Sequence, residues 1–144
     1  MLFREIDKAS IRSVALFAIS LCTSLTFQHG ASAGEQDMSV IAQASSGMLA
    51  CEIRKVGAGA AVQLTGVVSG SAAVAGNARF VLKKSGPSGT SNINQGNPFD
   101  LSAGAEVDVN HVTINLGPED HAVVEFIVTS SDGIVCRATA NLEL

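Results

Sequence analysis

Apolar and polar side chains alternate along most of the chain from residue 48 onward, and this pattern constrains the fold more than any other feature. The alternation is clearest in residues 112–116, 122–128 and 136–142, where every second residue is apolar. Turn-forming sequences at 117–120 (Gly-Pro-Glu-Asp) and 131–133 (Ser-Asp-Gly) separate these segments. A period of two is typical of strands with one buried face. We therefore predict that residues 48–144 form an all-β, immunoglobulin-like β-sandwich of about seven strands.

The alternation changes phase shortly before residue 112. Val107 and Val109 share one parity, whereas Val112 and Ile114 share the other. Because successive side chains on a strand point to opposite faces, both pairs can reach the same face only if the register shifts between them. We predict a bulge or a corner near Asn110-His111.

The first 33 residues have the features of an export signal. Basic side chains at Arg4, Lys8 and Arg12 precede an apolar run over residues 14–27, and the small residues Ala-Ser-Ala follow at 31–33. The alternative is a membrane anchor, but the run is shorter than the roughly 20 apolar residues that a span needs. We predict a cleaved signal peptide over residues 1–33, and hence an exported protein. Residues 34–47 lack sustained periodicity and are expected to form a flexible lead-in to the domain at 48–144.

The charge balance argues against a nucleic-acid partner. The chain has a formal net charge of −4, and acidic side chains still outnumber basic ones once residues 1–33 are removed. A nucleic-acid-binding protein needs a basic patch or run, and the sequence contains no basic run. We predict no nucleic-acid partner and, after signal cleavage, no association with a membrane.

Two cysteines remain in the predicted mature chain, since Cys22 lies in the signal peptide. Cys51 and Cys136 both fall on the inward parity of their own segments, and export leads to a compartment that permits disulfides. We predict a Cys51–Cys136 disulfide, with two buried free thiols as the alternative. The two residues are far apart in sequence and form no redox dipeptide motif.

The sequence contains no recognisable catalytic or metal-binding constellation. Neither His111 nor His121 has a cysteine or a third histidine near it in sequence, and no nucleophile elbow or phosphate-binding glycine motif is present. The adjacent carboxylates of Glu119 and Asp120 lie in a turn, where we expect both to be solvated. We predict a protein that is not an enzyme and that uses no cofactor and no metal.

A surface for protein partners is the remaining candidate for function. If the predicted strands at about 78–84, 122–128 and 136–142 share a sheet, its outer face combines cations with branched apolar side chains. The alternative is that valine and isoleucine occur there only because they favour strands. The predicted partner-binding residues are Arg79, Val81, Lys83, Lys84, Val123, Ile127 and Arg137. The basic pairs Arg54-Lys55 and Lys83-Lys84 are expected either to protect exposed strand edges or to meet an acidic strand of a partner.

Three segments resemble a known family. Residues 85–89 (Ser-Gly-Pro-Ser-Gly), 112–120 (Val-Thr-Ile-Asn-Leu-Gly-Pro-Glu-Asp) and 124–133 (Val-Glu-Phe-Ile-Val-Thr-Ser-Ser-Asp-Gly) resemble, in order and spacing, the curli assembly chaperones of the CsgC/CsgH type. The resemblance covers about Leu49 to Leu144, and the separated cysteines are more similar to the CsgH branch. Members of the CsgC branch carry a Cys-x-Cys pair, whereas residues 51–53 here are Cys-Glu-Ile, so the resemblance implies no thiol function.

The resemblance implies a periplasmic immunoglobulin-like chaperone that stops the secreted curli subunit from forming amyloid before export. Its partner would be that amyloid subunit, bound transiently, and surface charge would contribute through Arg79, Lys83, Lys84 and Arg137. We also expect a monomer. The main alternative is a structural fimbrial, adhesin or matrix domain built on the same sandwich, and a periplasmic redox or metal enzyme is a further one.

Overall fold

The structure is a computed structural model, and it describes residues 37–57 and 59–144. The predicted signal peptide at 1–33 lies outside the described residues, as do residues 34–36 of the predicted lead-in. The described residues form eight strands and no helix. The strands are β1 (Met38–Ser46), β2 (Leu49–Val56), β3 (Ala61–Gly70), β4 (Val74–Ser85), β5 (Ser91–Leu101), β6 (Glu106–Asn115), β7 (His121–Ser130) and β8 (Val135–Glu143).

The strands form two four-stranded sheets. One sheet has the order β1-β2-β3-β6 and the other has the order β5-β4-β7-β8, and every pair of neighbouring strands is antiparallel. The inward residues of both sheets make one hydrophobic core. The prediction of an all-β fold is confirmed, with one strand more than expected.

The additional strand is β1, so the prediction of a flexible lead-in is wrong for residues 38–46. β1 pairs with β2 from Met38 opposite Val56 to Ser46 opposite Leu49. A register shift between Val40 and Ala42 reverses the side-chain phase within the strand, and small residues fill much of the rest. Both features hide a period of two, although Ala42 and its neighbours pack against the core.

The centre of the core is an aromatic pair on neighbouring strands. Phe80 on β4 lies opposite Phe126 on β7, both are fully buried, and their ring centroids are 5.8 Å apart. Gly66 on β3 faces them from the other sheet, where a Cβ atom would lie 2.6 Å from the Phe126 ring. The missing side chain at Gly66 therefore makes the space for Phe126 between the sheets.

The predicted shift of register is confirmed at one residue before the predicted position. In the β3–β6 ladder Gly66 pairs with Asn110 and Val67 with Asp108, so Val109 is the extra residue of a bulge. The bulge brings Asn110 onto the inward face with Val112 and Ile114. Asn110 is 1% exposed, and neither polar atom of its side chain has a hydrogen-bond partner among the described residues.

Candidate partner-binding face

The outer face of the β5-β4-β7-β8 sheet carries six of the seven predicted partner-binding residues. Phe80 and Leu82 on β4 are buried, so the residues between and beside them point away from the core. The same alternation applies to β7 and β8. The six residues are Arg79, Val81, Lys83, Val123, Ile127 and Arg137, and we call this surface the outer face.

The strand register brings these six side chains together. Arg79 lies opposite Ile127, which lies opposite Arg137, so one row across the sheet has a cation on each side of an isoleucine. Four residues along the strands, Lys83 lies opposite Val123. The row between them contains Val81, Glu125 and Thr139. Val81 lies diagonally across from both Ile127 and Val123, at the roughly 7–8 Å typical of such neighbours, so the three branched side chains form one apolar strip that includes Glu125 and has the cations around it.

The cations on the outer face differ in their contacts. Arg137 forms an ion pair with Glu125, with Nη1 2.7 Å from Oε1. The Arg79 Nε–H donates a hydrogen bond of 2.9 Å to Oδ1 of Asn94 on β5. Lys83 is exposed and makes no ion pair within the described part of the chain. Lys83 and the guanidinium of Arg79 are therefore the cations that remain available to an acidic partner.

Lys84 is not part of this face, so the sequence prediction is wrong for that residue. Lys84 is 8% exposed, and its ammonium lies 3.0 Å from Oδ2 of Asp120 and donates a hydrogen bond of 2.6 Å to Ser88 Oγ. The reason is the alternation itself, since the residue after the outward Lys83 must point inward. A buried carboxylate at Asp120 makes this inward position suitable for a lysine.

Asp120 joins the two loops whose sequences carry the family resemblance. Its carboxylate is fully buried and accepts hydrogen bonds from the Gly117 N–H at 2.7 Å, the Ser88 N–H at 3.2 Å and the Ser88 hydroxyl. The Ser88 hydroxyl, followed by the Gly117 N–H, holds the pKa of Asp120 well below its usual range. The expectation that Asp120 is solvated is therefore wrong.

The proposed edge protection by lysines and arginines is also wrong, because β2 and β4 are inner strands. Arg54 instead forms ion pairs with Glu52 at 2.9 Å and with Glu106 on β6 at 2.7 Å. The ion pair between Arg54 on β2 and Glu106 on β6 passes over the strand between them, β3, near Val67. Val67 is only 1% exposed, although it lies on the outer side of its sheet. The hydrogen bond between Arg54 and Glu106 raises the pKa of the arginine and lowers the pKa of the carboxyl.

The predicted disulfide is confirmed. Cys51 on β2 and Cys136 on β8 are bonded, with their Cα atoms 6.1 Å apart. The two strands belong to different sheets, so the bond links one layer of the sandwich to the other. Both residues are buried, at 0% and 1% exposure. This bond holds the sheet that carries the outer face against the sheet behind it.

The described residues contain no group of three or more histidine, cysteine, aspartate or glutamate side chains that could hold a metal ion. They also contain no helix that is both long enough and apolar enough to cross a membrane.

Comparison with known proteins identifies the family. The model of the CsgH protein family matches residues 50–138, which is more than half of the chain. The chain belongs to the CsgH family. The solution structure of R. palustris CsgH is similar, with a TM-score of 0.52 and 26% sequence identity, and the match covers 67% of this chain and 92% of that one. No curated protein matches the sequence.

CsgH family membership confirms the resemblance to curli assembly proteins of the CsgC/CsgH type. It gives the protein a curli-associated role and implies an extracellular or periplasmic context. It also indicates a partner that is a curli-related protein. A disulfide that joins the two sheets is in keeping with such a compartment, because disulfides persist where the environment is oxidising.

Proposed function

We propose that this CsgH-family protein is a periplasmic chaperone that inhibits premature amyloid formation by the secreted curli subunit. The observation that carries the proposal is the outer face, where three cations surround three branched apolar side chains on one sheet. Of the apolar residues, Val123 is 47% exposed, and large apolar side chains at this degree of exposure are available for contact with another chain.

The mechanism follows from how amyloid begins. A nucleus forms when several extended segments stack through their free backbone edges. Lys83 and Arg79 would attract an acidic segment, and the strip of Val81, Val123 and Ile127 would supply a weak apolar contact. Because nuclei are rare, brief contacts at a low ratio of chaperone to subunit are sufficient. In this proposal the protein acts as a monomer by binding alone, without catalysis, a cofactor or a metal.

A structural role in a fimbria or a matrix is the competing proposal. A subunit of that kind usually needs an open groove or a strand donated by a neighbour. The described residues complete two four-stranded sheets and enclose their core without a donated strand, which favours the chaperone. A purified protein that remains monomeric supports the chaperone, whereas one that polymerises by itself supports the structural role.

The proposal is tested by following fibre formation by purified curli subunit with and without small amounts of the mature protein. We expect a longer lag before fibres appear. Because charge guides the encounter, the delay should shrink as ionic strength rises from about 0.01 M to about 1 M, which shortens the screening length from about 30 Å to about 3 Å. If adding the mature protein at low salt does not lengthen the lag, the proposed function is contradicted.

A further inference from the structure

The edge strand β5 lacks most of the usual protection against pairing with another chain. It pairs with β4 from Ser91 opposite Lys84 to Leu101 opposite Val74 without a register shift, and no described strand pairs with it on its other side. β6 of the other sheet approaches β5 at Asn97, whose Nδ2–H donates a hydrogen bond of 2.7 Å to the carbonyl oxygen of Val109. Residues 91–97 carry no charged side chain and are all exposed or half-exposed. An exposed strand edge is a template for pairing, and proteins normally block it with charges, bulges or prolines.

Each of the other three edge strands of the sandwich carries a bulge, a register shift or charged side chains that hinder pairing with another chain. β6 contains the bulge at Val109 and the acidic residues Glu106 and Asp108. β1 contains the register shift beside Ile41. β8 carries Arg137 and Glu143. Among the described strands, β5 therefore presents the longest regular edge without charge over residues 91–99, interrupted only by Pro98, and its one charged residue, Asp100, lies at the far end.

Pro98 indicates which backbone groups of β5 face outward. Proline has no N–H to donate, so in an edge strand its nitrogen is placed on the side away from the neighbouring strand. Backbone groups alternate along a strand, so Asn92, Asn94 and Gly96 share the orientation of Pro98. These three residues then offer their N–H groups to a strand that adds to the free edge.

The charges beside β5 select the kind of segment that fits. Arg79 lies opposite Gly96, and Lys83 lies opposite Asn92, on the outer face of the sheet. An added strand would lie about two strand spacings, roughly 10 Å, from β4. Gly96 has no side chain to separate Arg79 from that strand, and no atom lies within 4 Å of the position that its Cβ would take.

Charge also argues against a second copy of the same chain as the occupant. Residues 91–99 of a second β5 carry no carboxylate for Arg79 and Lys83, and the copy would add its own two cations about three strand spacings, roughly 14 Å, from the first pair. An acidic extended segment would instead be attracted to this edge, because its carboxylates would meet both cations.

We propose that the free edge of β5 captures an extended acidic segment of a partner as an additional strand, with Arg79 and Lys83 binding its carboxylates. The backbone hydrogen bonds supply affinity, and the two cations select the segment. The identification of this segment as part of the curli subunit rests on the function proposed above. Capture in this form occupies one of the two edges through which an amyloid segment stacks on its neighbours.

A matched pair of substitutions at Gly96 tests the capture. Gly96→Ala keeps the N–H and should delay fibres as well as the wild type does. Gly96→Pro removes the N–H on the free side, and roughly tenfold more protein should be needed for the same delay. Urea unfolding of both variants checks that the fold is retained. Equal activity of two folded variants would overturn the capture while leaving the proposed chaperone function intact.

A second measurement uses the wild-type protein and a defined probe, so it remains informative if Gly96→Pro does not fold. The probe is the blocked heptapeptide acetyl-TEVQVET-amide, whose two glutamates are four residues apart as Arg79 and Lys83 are, and its control has lysine in place of both glutamates. At half saturation the acidic peptide should slow hydrogen exchange of the Asn94 and Gly96 amides about twofold, and the lysine peptide should not. Equal slowing by both peptides, or none by either, would overturn the capture. A wild-type protein that fails to delay fibres would contradict the chaperone function instead.

Discussion

Removal of the Cys51–Cys136 disulfide is expected to lower the free energy of unfolding by about 4–5 kcal/mol. The two cysteines are separated by 85 positions in sequence, and the bond restricts the unfolded chain more strongly as the enclosed loop grows. The bond also connects the two sheets at buried positions, so its loss removes a link between the layers. The substitution Cys51→Ala/Cys136→Ala removes the bond and leaves no unpaired thiol.

Urea unfolding at neutral pH measures this effect. The wild type under oxidising conditions should be the most stable sample, and the wild type with a reductant should approach the double variant. The reductant should not change the unfolding midpoint of Cys51→Ala/Cys136→Ala, which has no disulfide and therefore controls for other effects of the reductant. If thiol titration shows full reduction of the wild type and the midpoint does not move, the stabilising role assigned to the bond is wrong.

Replacement of Asp120 by asparagine is expected to cause a large loss of stability. The buried carboxylate accepts hydrogen bonds from Gly117 and Ser88 and compensates the charge of Lys84. An asparagine has one acceptor oxygen instead of two, and its NH₂ group would face groups that are themselves donors. The ammonium of Lys84 would also be left buried without an opposite charge.

The matched control for this substitution is Glu119→Gln, which makes the same chemical change at the adjacent, exposed residue. Urea unfolding at neutral pH should show a much lower midpoint for Asp120→Asn than for the wild type, and almost no change for Glu119→Gln. Equal midpoints for the two variants would contradict the assignment of Asp120 as a buried link between the loops at 85–90 and 116–120.

The same carboxylate predicts a dependence of stability on pH. The pKa of Asp120 is lower in the folded protein than the value of about 4 expected in the unfolded chain. Its contribution to stability is therefore complete above about pH 4 and is lost as the pH falls below that value toward the folded pKa. Between about pH 4 and pH 2 the free energy of unfolding should fall less steeply for Asp120→Asn than for Glu119→Gln. Identical slopes would contradict the lowered pKa.

The parts of the fold that sequence predicts well are those where one physical rule dominates. β7 and β8 have regular alternation and short turns, so the inward positions of Phe126 and Cys136 follow directly from parity. β1 was missed because the register shift beside Ile41 and the small neighbouring residues obscure the period of two. Its backbone pairing with β2 is a tertiary interaction, which local periodicity does not report.

Sequence alternation also predicts which residues lie on the candidate face. It does not predict the contacts that depend on how the strands are ordered and aligned. Alternation alone places Arg79, Val81 and Lys83 on one side of β4, and it would also have placed Lys84 on the other. The partner of Lys84 is Asp120, which is distant in sequence, and parity cannot identify it. The ion pair of Arg137 with Glu125 and the position of β5 beside Arg79 likewise require the strand order.

The most direct test of the central claim compares the fibre lag times of the curli subunit with the wild-type protein and with its charge variants at low salt. We expect roughly tenfold more Arg79→Glu/Lys83→Glu protein to be needed for the same delay, because two attractive contacts become repulsive. Lys83→Glu alone should act in the same direction. The control is Lys55→Glu, which changes the net charge by the same amount as Lys83→Glu alone but lies on β2 of the other sheet. It should delay fibres as the wild type does. Equal delay by wild-type protein and by folded Arg79→Glu/Lys83→Glu protein would contradict the claim that the outer face acts on the amyloid subunit.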